Sequence, residues 1–249
     1  MPREARRRSA SGIYHIMLRG ADGRNIFGDD RDRERFCTCL MKAKEASGFK
    51  LYAYCLMGNH VHLLVREGEE PIGTAMKRVG VAYVQYYNRR YQLHGHLFQD
   101  RFRSETVETD AYLLDVLRYI CRNPVKAGLS RDPFSYRWLG MNGTGEDGGI
   151  TDGLEALSEM NDAELKNFVR EPSRSEHLED LGPKQKTDRE ALEILKERCG
   201  CGDAKEIEGW DEEARGKAVR TALRSGISIR RLSRLTGISK ATVERLGKG

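Results

Sequence analysis

Four residues have the types and spacing to do chemistry together. His60 and His62 stand two apart in a β-prone run, so both imidazoles leave the same face of one strand. Two rings held in that way form a ready pair of ligands for a divalent ion. A single strand histidine is more often a structural residue whose ring is satisfied by hydrogen bonds, so the pair needs company. Tyr119 and Asn123 supply it: they are i and i+4 in a helical stretch and lie one above the other on one helix face. The Asn123 carbonyl is a neutral oxygen donor that would complete a two-histidine site suited to Mg²⁺ or Mn²⁺. A tyrosine beside such an ion is placed to attack an electrophile that the ion polarises. Taken alone, Tyr119 would read as a buried aromatic with a hydrogen-bonded hydroxyl.

The elements that position these residues follow from pattern and punctuation. Ile13 to Leu18 is β-prone and ends in the turn cluster Arg19-Gly20-Ala21-Asp22-Gly23. Asp29-Asp30 offers a helix N-cap, and Phe36, Leu40 and Ala43 follow at helical spacing up to Gly48. Two strands come next, Phe49 to Met57 and His60 to Arg66, joined by Gly58-Asn59. The second alternates, with His60, His62 and Leu64 on one face. Pro71 opens a long helix to about Tyr91. After a basic loop, a short extended piece from Glu105 to Glu108 leads to a helix from Asp110 to about Arg122, stopped by Asn123-Pro124. The order strand–helix–strand–strand–helix–strand plus one helix predicts an α+β, ferredoxin-like antiparallel sheet with helices on one face. In that sheet His15 shares a face with the histidine pair, provided the strand does not slip by one residue.

Basic residues surround this centre. Arg89, Arg90, Arg101 and Arg103 alternate with Tyr87, Tyr91, Phe98 and Phe102, a mixture suited to single-stranded DNA, where phosphates pair with arginine and bases stack. Arg19 and Arg24 are candidates to hold phosphates near the first turn. Arg6, Arg7 and Arg8 form a candidate DNA-binding arm. His94 and His96 read as loop or structural residues.

Composition narrows the class. With 39% hydrophobic and 33% charged residues in 249, the chain reads as a globular protein. No apolar run approaches the roughly 18 residues that span a bilayer, and no secretory signal follows the basic N-terminus, so a cytoplasmic protein with no membrane contact is expected. The six cysteines form no Cys-x-x-Cys set and read as small core residues or idle thiols. Only Cys199-Gly200-Cys201 would invite a metal argument.

Charge is unevenly spread. Residues 214–249 carry ten Lys/Arg against Glu244 alone, whereas residues 141–183 carry eleven acids against Lys166, Arg170 and Arg174. Repulsion keeps such an acidic stretch off a polyanion, while the basic ends are drawn to phosphates. With the run Gly143-Thr144-Gly145-Glu146-Asp147-Gly148-Gly149 as a boundary, the expected organisation is a domain carrying the histidine–tyrosine centre at 1–140, an acidic linker at 141–187 and a helical domain at 188–249. In the last, Ser228 to Leu246 reads as a helix-turn-helix. Ser233 lies four before the turn glycine Gly237, and Val243 lies six after it to pack the second helix on the first. Ser239, Lys240, Thr242 and Arg245 would reach bases or phosphates of flanking duplex DNA. With the helices from Asp188 onward, this segment distantly resembles the C-terminal DNA-binding domain of the bacterial replication initiator.

Several stretches of residues 10–138 resemble the single-tyrosine HUH transposases, most closely the REP-associated tyrosine transposases. They are Tyr14-His15-Ile16-Met17-Leu18-Arg19-Gly20, Asp29-Asp30-Arg31-Asp32-Arg33, Ala53 to Val65 around His60-Val61-His62, Gly95 to Phe102, and Leu117 to Leu129 around Tyr119 and Asn123. The resemblance implies a catalytic ion on His60 and His62, and a Tyr119 nucleophile that becomes linked to a DNA 5′-phosphate and releases a 3′-hydroxyl. Asn123 falls where insertion-sequence relatives place a Gln ligand. The implied partners are single-stranded and hairpin DNA, with a homodimer among the possible assemblies. Two rivals stay open at this point: a hairpin-binding regulator without chemistry, and a nicking replication initiator.

Overall fold

The computed structural model describes residues 7–141, 149–175, 177 and 188–247. The chain divides into two compact units, Met1–Gly182 and Pro183–Gly249. Residues 142–148, which hold most of the expected Gly-rich boundary, and 178–187, the end of the expected linker, lie outside the described residues.

The first unit is built on an antiparallel sheet of β1 (Ile13–Arg19), β2 (Lys50–Leu56), β3 (His60–Arg66), β4 (Arg103–Thr106) and β5 (Leu139–Met141), in the order β4-β1-β3-β2-β5. Its first four strands have the ferredoxin-like order; β5 extends the edge beside β2. Two helices cover one face, α1 (Asp30–Ser47) and α2 (Ile72–Tyr91). Asp29 caps α1 by accepting from the Asp32 amide at 3.2 Å, and Gly48 ends it at a φ of 65°, where a side chain would strain the backbone. Phe36, Leu40, Met76, Val79 and Tyr83 from these helices pack on Ile16, Leu18, Val61, Leu63 and Val65 of the strands. A charged knot ties the helices together at their ends. The buried Asp32 carboxylate accepts from the Gly28 amide (2.7 Å), the Tyr91 hydroxyl (2.7 Å), the Tyr86 hydroxyl (3.1 Å) and Arg90 (2.6 Å).

The other face is covered by α3 (Asp110–Lys126), capped by Thr109 and packed through Val116, Leu117 and Ile120. This helix runs through Asn123-Pro124 rather than stopping before it. Proline in the last turn forfeits only its own amide, and the Asn123 carbonyl still accepts from Ala127 at 2.9 Å. Continuing the helix keeps Asn123 on the Tyr119 face. A bulge between Leu51 and Ala53 turns both Tyr52 and Ala53 toward α3, in the core beneath it.

The segment expected as an acidic linker is structured where it is described. Leu154, Leu157, and Leu165 and Val169 of α4 (Asp162–Arg170) enter the α3 core. Its acids have structural partners. Asp152 meets Lys44 at 2.7 Å and accepts from the Leu51 amide at 2.8 Å, and Glu164 closes a capping box with Asn161.

The second unit is helical: α5 (Asp188–Ile194), continued by a wider turn over Leu195–Cys199, then α6 (Glu212–Arg224), α7 (Ile229–Thr236) and α8 (Lys240–Gly247). Leu195, Val219, Leu232, Ile238 and Val243 form its core. Ser228 caps α7, and Gly237 turns the chain at a φ of 84° while its amide bonds the Ser233 carbonyl at 2.9 Å. The helix-turn-helix signals Ser233, Gly237 and the buried Val243 thus occupy the positions that their chemistry demands.

Candidate active site

Register decides which side chains meet. β1 and β3 pair with Met17 opposite His62 and Arg19 opposite His60, while β1 and β4 pair with His15 opposite Glu105 and Met17 opposite Arg103. Opposed residues share a face, so His15, Arg19, His60, His62, Arg103 and Glu105 all stand on the α3 side of the sheet. His15 does share the face of the histidine pair, without slippage.

His60 and His62 are buried, with ring centroids 4.9 Å apart and near-perpendicular planes. Each commits its Nδ1 to a neighbour: His60 Nδ1 lies 2.7 Å from Asn59 Oδ1, and His62 Nδ1 lies 3.0 Å from His15 Nε2. An amide oxygen only accepts, so His60 donates from Nδ1 and keeps its lone pair on Nε2. From α3, Tyr119 brings its ring to 5.6 Å from His62 and 5.8 Å from His15. One turn on, Asn123 is 3% exposed and donates its amide to the Tyr119 carbonyl at 3.0 Å. His60, His62 and Tyr119 thus follow one another ring to ring in a buried cluster, with Asn123 buried one helical turn beyond Tyr119. Two imidazole nitrogens and an amide oxygen are a donor set that fits Mg²⁺ or Mn²⁺.

Other groups join them. His177, from the segment after α4, lies tilted against Tyr119 at 4.3 Å between centroids, stacks on Tyr112 at 5.7 Å and lies 6.2 Å from His15. Asp115 anchors that segment by accepting from the amides of Arg174 (2.7 Å) and Ser175 (3.0 Å), and its carboxylate is 3.4 Å from His177 Nε2. Burial pushes the Asp115 pKa up, but the two amides outweigh it and the net shift is downward. Glu105 shows the same balance: burial raises its pKa, while hydrogen bonds from His15 (3.2 Å) and the Tyr112 hydroxyl more than offset this. Burial, then that carboxylate, pushes the Tyr112 hydroxyl up. Among the described residues, His15, Glu105 and His177 place ligand atoms within 4.8 Å of one another. Lys126 sits over the Tyr119 ring at 5.3 Å.

Sequence reasoning missed Glu105, Asp115, Tyr112 and His177. Asp115 was legible as i−4 from Tyr119, on the same helix face; nothing near His177 in the chain points to it. The expected arginines separate. Arg19, half-buried, and Arg103, exposed, border the cluster. Arg89 and Arg90 are on α2, across the sheet, and Arg90 is bound to Asp29 (2.5 Å) and Asp32 (2.6 Å), which lowers the Asp29 pKa to about 2. Arg101 is exposed in the loop before β4. Their aromatic neighbours do not form a base-stacking row. Tyr87 and Phe102 are in the core and Phe98 packs against it, while the Tyr91 hydroxyl is used by Asp32. Alternation in sequence there reflects one helix face buried and one solvated. Arg24 turns its Nε to the Ala21 carbonyl. Arg7 and Arg8 are exposed ahead of β1, and Arg6 lies outside the described residues.

In the second unit Ser239, Lys240 and Arg245 are exposed and Thr242 is partly so. Ser239 and Thr242 are hydroxyl-to-hydroxyl at 2.8 Å, and Arg245 reaches Glu212 at 2.7 Å across the surface.

The model of the family described as "Transposase IS200 like" matches residues 9–123. Among solved structures, the chain is similar to a REP-associated tyrosine transposase bound to a REP hairpin, at 16% identity over 56% of this chain and 82% of that one, with a TM-score of 0.48. It is also similar to a presumptive transposase of Deinococcus radiodurans R1, at 17% identity over 48% and 95% of the two chains, with a TM-score of 0.35. No curated protein matches the sequence. The matched residues span β1 to the Tyr119 turn of α3, just under half of the chain, and include His60, His62, Tyr119 and Asn123, so it is this site-bearing stretch that is similar to the IS200-like transposase family.

Proposed function

We propose that this chain is a transposase that nicks and rejoins single-stranded DNA through Tyr119, using a divalent ion held by His60 and His62, with Asn123 as a third ligand. The observation that carries the reading is the placement of the Tyr119 ring against His62 within one chain, beside an adjacent imidazole whose tautomer leaves Nε2 for a ligand. The same placement favours Tyr119 serving the site of its own chain.

The Tyr119 oxygen attacks the phosphorus of the scissile linkage. A Tyr–O–P bond forms, the bond to the 3′-oxygen breaks, and that oxygen leaves as a 3′-hydroxyl once it has gained a proton. The phosphotyrosine preserves the bond energy, so a second 3′-hydroxyl can displace Tyr119 and restore a phosphodiester with no external energy source. A bound Mg²⁺ or Mn²⁺ would neutralise charge on the phosphate, a contribution of several kcal/mol in such reactions. Asn123 and His15 hold the cluster's geometry, while Arg19 and Arg103 at its border are the groups placed to take backbone phosphates.

The helix-turn-helix of the second unit is proposed to bind duplex DNA beside the cleaved strand, with α8 in the major groove. Lys240 and Arg245 would supply phosphate or base contacts. The Glu212 partner of Arg245 is no obstacle, since exposed pairs are worth at most about 1 kcal/mol. The solved relative bound to a REP hairpin makes hairpins the first substrate to try. Incubation with Mn²⁺ and single-stranded hairpins from the flanks of the gene, followed by denaturing electrophoresis, should give a covalent protein–DNA adduct that EDTA prevents. An adduct formed equally well in EDTA overturns the metal reading.

A further inference from the structure

We propose that Glu105 and His15 are positioning residues that fix the proton of His62, and with it the capacity of His62 to hold the divalent ion. The inference rests on the metal reading of His60 and His62 given above.

Starting from Glu105, the protons of His15 and His62 are fixed one after another along a chain laid across three adjacent strands. Glu105 on β4 is directly opposite His15 on β1, and His15 is diagonal to His62 on β3. Oε2 of Glu105 is 3.2 Å from His15 Nδ1, and His15 Nε2 is 3.0 Å from His62 Nδ1. Glu105 is held ionised by its hydrogen bonds, so it can only accept, and the His15 proton sits on Nδ1. A neutral His15 then has its lone pair on Nε2 and can only accept there. His62 must therefore donate from Nδ1, which leaves its own lone pair on Nε2, the atom a metal needs. Both rings are fully buried, so no water can take over either bond. The backbone pairing of β4, β1 and β3 holds the three side chains at this spacing without help from flexible loops.

The same proton placement rejects the rival use of these side chains. His15, Glu105 and His177 would make a plausible ligand trio by distance alone. An ion on His15 Nδ1 would move the His15 proton to Nε2. His62 would then have to accept at Nδ1 and carry its proton on Nε2, where it could no longer bind an ion. With neutral rings the two sites exclude one another, and the relay preserves the one beside Tyr119.

The test is Mn²⁺ binding to the full chain, followed by the electron paramagnetic resonance signal of unbound Mn²⁺, for wild type and the variants Glu105→Leu, His15→Leu and His15→Gln. Wild type is expected to bind one Mn²⁺. Glu105→Leu and His15→Leu, which remove the acceptor at each step, should weaken binding by roughly 10- to 100-fold. His15→Gln should recover most of the loss, because its side-chain carbonyl can accept from His62. Thermal unfolding without metal identifies any variant that fails to fold, and whichever of Glu105→Leu and His15→Leu folds then carries the test against His15→Gln. Unchanged affinity in Glu105→Leu and His15→Leu, with binding still lost in His60→Ala/His62→Ala, overturns the relay and leaves the metal reading standing. Wild type without Mn²⁺ binding overturns both. Binding lost in His177→Ala but kept in His60→Ala/His62→Ala would make His15 and Glu105 ligands, and would also overturn the relay.

Discussion

Replacing Tyr119 by phenylalanine separates the nucleophile from every other role of the residue. The Tyr119 ring is packed between His62 (5.6 Å), His15 (5.8 Å) and His177 (4.3 Å), with Lys126 at 5.3 Å, and only 4% of the residue is exposed. Phenylalanine keeps that ring and its contacts, so the cost is confined to the interactions of one hydroxyl, about 0.5–1.5 kcal/mol. For a unit of this size that is a fall in melting temperature of roughly 1–6 °C. Covalent chemistry, by contrast, has no oxygen left to proceed through, and the adduct should drop to background. Tyr112→Phe is the control. The Tyr112 hydroxyl donates to Glu105 and its pKa is pushed up, so it is a poor nucleophile, and its loss should leave the adduct intact. Tyr83 lies across the sheet, fully buried, with its hydroxyl on the Ile26 carbonyl at 2.6 Å. The assay is adduct yield on a 5′- and a 3′-labelled hairpin after denaturing electrophoresis, with calorimetry of each variant. An adduct that survives Tyr119→Phe at the wild-type rate refutes the assignment, and peptide mapping would show which tyrosine holds the DNA.

Other expectations follow from the same geometry. His60→Ala/His62→Ala should abolish the stabilisation by Mn²⁺, which for wild type at one hundred times the dissociation constant is about 2.7 kcal/mol, read as a shift of the melting temperature. Asp32→Ala removes the acceptor of the Gly28 amide and of two tyrosine hydroxyls, while Arg90 keeps Asp29, and should cost about 1–3 kcal/mol in urea unfolding, without loss of Mn²⁺ binding. The lowered pKa of Asp115 means that its ionised form is favoured by folding. Its contribution is present above about pH 4 and lost as pH falls through the lower native value. Acid unfolding below about pH 4 should therefore flatten in Asp115→Asn, and an unchanged slope would dismiss the anchor. A chain ending at Trp138 loses β5 and the buried Leu154, Leu157, Leu165 and Val169. Four such side chains are worth on the order of 6–12 kcal/mol, comparable to the whole stability of a domain. It should fail to fold, whereas a chain ending at Gly182 should fold and nick a hairpin but bind duplex-armed DNA more weakly at rising salt.

What the sequence determined by itself was whatever depends on short-range spacing. A period of two put His60 and His62 on one face, and a period near four put Asn123 beneath Tyr119. Asp29, Gly48 and Gly237 marked helix ends because caps and left-handed turns have few chemical solutions. The strand and helix order followed, and with it the ferredoxin-like sheet. Tertiary structure decided what depends on register and on contacts between distant segments. Whether His15 joined the cluster hung on a one-residue slip that no local pattern forbids, and Glu105 is opposite His15 only because β4 pairs where it does. The basic-aromatic row around Arg90 looked like a nucleic-acid surface because charge and ring alternate there. Only the fold shows that Asp32 gathers Arg90, Tyr86 and Tyr91 into a buried knot. The acids of residues 150–175 resembled a solvated linker for the same reason: composition records charge but not its partners. In the fold they cap α4 and pair with Lys44, and Asp115 of α3 holds the backbone that brings His177 onto Tyr119.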